Sequence, residues 1–151
     1  MNKILALIFL VVFVPNSFAC ICTTLWQVWN KDEYIELVNY TDVIFIGELK
    51  VVSFEEDCYE FEILDVFKGD VEVGSILTGH YITSCSDMPS LYGSYLIYGD
   101  YDNFDGKSTF EYSQCSPSKM VSQFINKEET KYFEKELSFL NEYFKLEVTV
   151  K

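Results

Sequence analysis

Two cysteines one residue apart, Cys20-Ile21-Cys22, stand where a hydrophobic leader ends. Cysteines this close cannot easily bond each other, so each is expected to reach a distant partner. Such a pair would staple the first residues of a processed chain onto its body. Three more cysteines follow, Cys58, Cys85 and Cys115. Four cysteines allow three pairings, and an odd fifth leaves one thiol over.

Residues 1–19 read as a secretory signal peptide. Lys3 supplies the positive start, and Ile4 to Val14 is an apolar run too short to cross a bilayer as a helix. Pro15 and Asn16 break it, and Ser17-Phe18-Ala19 places small residues at −3 and −1 of a cut before Cys20. A lipid anchor on Cys20 is the competing reading, although Ser17 stands where lipoprotein signals usually carry an aliphatic residue. Either way the chain is expected to be exported, whether secreted, periplasmic or on the cell surface. Disulfides are the expected state there. No membrane span is expected after the cut.

The chain carries a net charge of −13 and no arginine. A surface this acidic repels phosphate backbones, which argues against nucleic-acid binding. It favours a soluble monomer and steers toward basic partners without naming one. Residues 20–151 suit one domain with a real core, and no linker or repeat divides them.

Tyr34, Leu37 and Val38 mark a short amphipathic helix over Asp32 to Tyr40. Val43 to Val52 reads as a strand apolar on both faces at first, with Gly47 marking a bend or bulge. Glu55-Glu56-Asp57 is a turn at the edge. Tyr59, Phe61 and Ile63 alternate with polar residues, and the phase flips at Leu64, as it does at a β-bulge. Strands are expected over Ile76 to Ile82, Gly93 to Gly99 and Thr109 to Tyr112, with Asp100 to Lys107 a polar connector turning at Asp105-Gly106. Ser116-Pro117 looks like a helix start, with Met120, Val121, Phe124 and Ile125 on one face. Asn126 and Glu129 open a C-terminal helix, about 126–146, with Phe133, Leu137, Leu140 and Phe144 as its apolar stripe. The chain is therefore expected to be mainly β, a five-stranded closed barrel of the oligonucleotide/oligosaccharide-binding (OB) type with flanking helices.

No catalytic constellation can be assembled, and no enzyme activity or cofactor is expected. His80 is the only histidine and reads as structural. Asp100, Asp102 and Asp105 do not match a calcium loop, because Phe104 occupies a ligand place. A cysteine-only zinc site within the chain is disfavoured by oxidation.

The order of Cys20-Ile21-Cys22, Thr41-Asp42-Val43-Ile44-Phe45-Ile46-Gly47, Phe61-Glu62-Ile63-Leu64-Asp65-Val66-Phe67-Lys68-Gly69, Gly93-Ser94-Tyr95-Leu96-Ile97-Tyr98 and Ser113-Gln114-Cys115-Ser116 resembles the N-terminal domain of the tissue inhibitors of metalloproteinases. More broadly it resembles the netrin-like module. The likeness spans about residues 20 to 124. It implies that Cys20 pairs with Cys85 and Cys22 with Cys115, leaving Cys58 free. Each bridge would close a long loop, worth roughly 4 kcal/mol in the chain-entropy model. The resemblance also implies a function. A free α-amine, with a pKa of about 7.7–8.0, is partly neutral near pH 7. With the Cys20 carbonyl it would chelate a protease's catalytic zinc and displace the water that serves as nucleophile. Ile21 would point into the protease's apolar pocket, and Cys20, Ile21 and Cys22 would form the protease-binding site. The alternative is a netrin-like binding or structural module of the cell envelope with no zinc contact, lipid-anchored at Cys20 if that residue is acylated. The chain departs from the inhibitors in Ile21 and Thr23-Thr24, in the missing third bridge of their N-terminal domain and in the missing C-terminal domain.

Overall fold

In the computed structural model the described residues are 20, 22, 29–121 and 127–148, with side chains described as far as Phe144. The leader, Ile21, Thr23-Thr24, Phe124, Ile125 and Asn126 lie outside them, and so do the expectations placed on those residues.

Helix α1 spans Lys31–Tyr40. Asn30 caps it, its side chain accepting from the Asp32 N–H at 3.2 Å and donating to the Glu33 carboxylate at 2.9 Å. Its far end is closed by a lysine from another element. Lys68 Nζ donates to the carbonyls of Val38, Asn39 and Thr41, where a helix presents unpaired oxygens and negative dipole.

The strands are β1 (Val43–Ser53), β2 (Cys58–Lys68), β3 (Ile76–His80), β4 (Ser94–Phe104), β5 (Lys107–Tyr112) and β6 (Lys119–Met120). Their hydrogen-bonded order is β1-β2-β3-β5-β4, and β4 returns to β1. Five strands thus close into a barrel of the OB type. All the pairings around the ring are antiparallel except β3–β5, which meet in parallel at Gly79 and Phe110. Closure needs strongly coiled strands, and bulges supply the coil. The β1–β2 register slips between Ile46 and Gly47, opposite Leu64. These are the two positions where the sequence carries a glycine and a phase flip.

Three expected elements differ. The stretch after Gly99 is strand, not connector: β4 runs on to Phe104, and β5 begins at Lys107. Asp105 and Gly106, with φ of 51° and 75°, form a two-residue hairpin turn between them. The ribbon was hidden because it extends past the barrel, where both its faces meet water and no apolar alternation is needed. The expected helix start at Ser116-Pro117 is instead followed by β6, which pairs with Tyr95 and Leu96 on the edge of β4 that β5 has left. Strand β3 also ends at His80, short of Ile82.

Alternation along β1 and β4 sorts side chains into two cores. Val43, Phe45, Tyr95 and Ile97 point inward with Tyr59, Phe61, Ile63, Phe110 and Tyr112. Ile44, Leu96 and Tyr98 point outward and are covered by α1 and by α2, Lys127–Val148. This is why β1 begins with an unbroken apolar run. The rings inside pack edge to face, with Phe61 against Phe45, Tyr59 and Tyr95 at 5.5–5.9 Å between centroids. Gly79 makes room for them: a Cβ there would lie 2.2 Å from the Tyr59 ring.

The outer core contains a charge. Glu136 of α2 is 1% exposed and accepts from the Tyr98 hydroxyl at 2.7 Å and from Lys119. Burial raises its pKa above the ordinary carboxyl value, while Lys119, Tyr98 and Tyr34 partly oppose the shift. The C-terminal helix is thus fixed to the barrel by directional bonds as well as by Phe133, Phe139 and Leu140.

Candidate functional site

Cys20 is bonded to Cys85 and Cys22 to Cys115, each with Cα atoms 5.1 Å apart. The two anchor cysteines lie on separate loops, Cys85 between β3 and β4 and Cys115 between β5 and β6. The bridges nearly touch, with Cys20 Sγ 3.4 Å from Cys115 Sγ. A segment of three residues is therefore held at both ends.

The platform beneath is rigid for reasons independent of the sulfurs. The Cys85 carbonyl accepts from the Gln114 N–H at 3.0 Å and from the Ser113 hydroxyl at 3.1 Å. The Gln114 side chain donates to the Ser84 carbonyl at 2.7 Å. Within the first loop, buried Ser86 organises the turn. Its hydroxyl accepts from the N–H groups of Ile82 and Thr83 and donates to the Glu111 carboxylate. These contacts also explain why β3 stops early, since the backbone there bonds to Ser86 and not to a strand. Ser86, Glu111 and Gln114 are site residues that the sequence reading missed. The cluster of serine and threonine before Cys85 was the available signal, because short hydroxyl side chains compete for backbone groups in turns.

The sulfurs of Cys20, Cys22 and Cys115 lie within 4.8 Å of one another. All three are oxidised in disulfides and have no thiolate to offer a metal. Ile21 lies outside the described residues.

The other singled-out residues sit elsewhere. Cys58 is the free cysteine, half-buried at the start of β2 opposite His80 of β3. Partial burial, then the neighbouring carboxylates of Glu56, Glu60 and Asp57, push its thiol pKa up, which suppresses the thiolate. Asp100, Asp102 and Asp105 string along the β4–β5 ribbon. Asp100 accepts from the Asp42 N–H at 3.0 Å and Asp42 from the Tyr101 N–H, so these acids staple the ribbon's base to the end of α1. Burial holds Asp100 above the usual carboxylate range, opposed by the hydrogen bond from the Asp42 N–H and reinforced to a smaller extent by the Asp42 carboxylate.

Among the described residues no helix is long and apolar enough to cross a membrane. The disulfides agree with an oxidising compartment. No protein-family model, curated protein or solved structure matches the chain.

Proposed function

We propose that this is an exported metalloproteinase-inhibitor-like protein that offers the α-amine and carbonyl of Cys20 to the catalytic zinc of a target protease. One observation carries the reading. The Cys20–Cys22 segment is bonded at both ends to two loops that are themselves hydrogen-bonded together. Chelation by a chain terminus is weak when the terminus must first be ordered, because association loses that freedom. A doubly anchored terminus has lost it already. The amine is partly neutral near pH 7 and can donate its lone pair to zinc in place of the water nucleophile.

The mechanism requires Cys20 to be the first residue, with an unmodified nitrogen. The test is an inhibition series against a panel of zinc endopeptidases. The form beginning at Cys20 is expected to inhibit, and a form with one alanine added before Cys20 is expected to lose at least a hundredfold in affinity. Equal inhibition by the two forms overturns the mechanism. Absence of inhibition in every form with intact bridges leaves a netrin-like binding module, and an acylated Cys20 leaves a lipid-anchored one.

A further inference from the structure

A cleft of about 230 Å³ opens beside the anchor loops, between the segment from Asp87 to Leu91 and β6. Met88, Leu91 and Met120 line it together with the polar Ser90 and Ser118, and Tyr95 and Tyr112, which are 8% and 3% exposed, lie toward the core. Asp87 stands at the edge, its backbone N–H fixed to the Tyr112 carbonyl at 2.7 Å. Among the described residues no lysine pairs with Asp87. The one lysine lining the cleft, Lys119, bonds the buried Glu136 carboxylate.

These groups select a type of ligand. The thioether and aliphatic groups in this otherwise polar lining offer a strip along which a short chain of methylenes can lie. Phenolic rings and a carboxylate that accepts the Met88 N–H at 2.9 Å, but meets no cation among the described residues, suit a cation at its end. Tyr95 donates its hydroxyl proton to the Leu91 carbonyl at 2.6 Å and so keeps a lone pair for a donor from outside. The charge of Asp87 reaches both rings, adding to the burial that keeps the phenols protonated. A chain with net charge −13 and no arginine draws basic partners toward the opening.

We infer that this cleft is a receptor for a basic side chain, lysine or arginine, presented by a partner protein. The methylene stem lies along Met88, Leu91 and Met120, and the cation meets Asp87 and the tyrosine oxygens. The site lies two residues beyond the anchor Cys85, so a partner docked on the Cys20–Cys22 segment can fill it in the same encounter. It does not depend on that partner being a protease.

The probe pair is Nα-acetyl-lysine-N-methylamide and its neutral isostere Nα-acetyl-norleucine-N-methylamide, titrated by NMR into the disulfide-intact protein. The lysine compound is expected to give saturable shifts at the methyl groups of Met88 and Met120 and at the rings of Tyr95 and Tyr112. Affinity is expected to fall at least tenfold with the norleucine compound and with Asp87→Asn, and to recover in part with Asp87→Glu. Equal binding of the two compounds, or unchanged binding in Asp87→Asn, overturns the assignment. So do shifts scattered over the acidic surface without saturation. The Asp87→Asn spectrum itself shows whether that variant is folded, and no arm uses protease inhibition as its readout.

Discussion

The two cores of this protein share β1 and β4 yet are built on different terms. The inner one, among Phe45, Tyr59, Phe61, Ile97 and Phe110, is a ring-filled barrel with no buried charge among the described residues. The outer one, between the barrel and its helices, contains the Glu136 carboxylate, bonded to Tyr98 and Lys119. Shape alone is enough inside, because strand pairing around a closed ring already fixes every position. A helix lying on a sheet can slide or rotate at little cost, and directional bonds to a buried carboxylate remove that freedom. The difference teaches that the barrel sets stability while the polar contacts set where α2 rests.

Phe61→Ala should break the inner core most severely, with a loss of about 4 kcal/mol in denaturant unfolding. Helix and strand signals should then melt together. A transition in which the helices outlast the barrel would contradict the dependence of the outer core on the inner one. Gly79→Ala drives a methyl group into the Tyr59 ring and should cost about 3 kcal/mol, although it removes no contact.

Glu136→Ala should cost about 3 kcal/mol, because it strands Lys119 and the Tyr98 hydroxyl. Its signature should be local. Amide exchange should accelerate along α2 while Phe45 and Phe61 stay protected, and uniform acceleration would erase the distinction between the two cores. Glu136→Gln sharpens it further. The native pKa of Glu136 lies above its ordinary value of 4.5, so the folded state holds the proton more tightly than the unfolded one. The stability this provides is full below that value and is lost as pH rises through the native pKa. In the glutamine variant that decline should be missing, read as the difference from wild type in urea unfolding from about pH 4 to about pH 7. The smallest effect should come from Asn30→Ala, about 1 kcal/mol, confined to the start of α1.

Much of the barrel was legible because its devices are local. Gly47 and the phase flip at Leu64 point to bulges, and bulges point to a coiled sheet. The apolar face of α2 was legible from the spacing of Phe133, Leu137 and Leu140. Glu136 sits inside that stripe, three residues from Phe133 and four from Leu140, and position alone could have flagged it. What made a buried carboxylate tolerable was a set of partners from β4 and β6, far away in sequence. The β4–β5 ribbon was missed for the opposite reason, since strands that bury neither face leave no apolar rhythm. At the site, the resemblance named the two cysteine pairs, while the Ser86 and Gln114 contacts that stiffen their loops left only a weak trace in composition.

The placement of the unpaired Cys58 has a consequence for how the molecule is made. The bridged pairs span 65 and 93 residues, and Cys58 lies between their halves in the chain. During synthesis Cys20 and Cys22 emerge long before Cys85 and Cys115, and Cys58 is the first other thiol they can meet. Any bond formed then is the wrong one and must be undone by thiol–disulfide exchange before the N-terminus can settle. Once β2 is in place, partial burial, reinforced by the carboxylates of Glu56, Glu60 and Asp57, suppresses the Cys58 thiolate, so the native sheet makes it a poorer competitor.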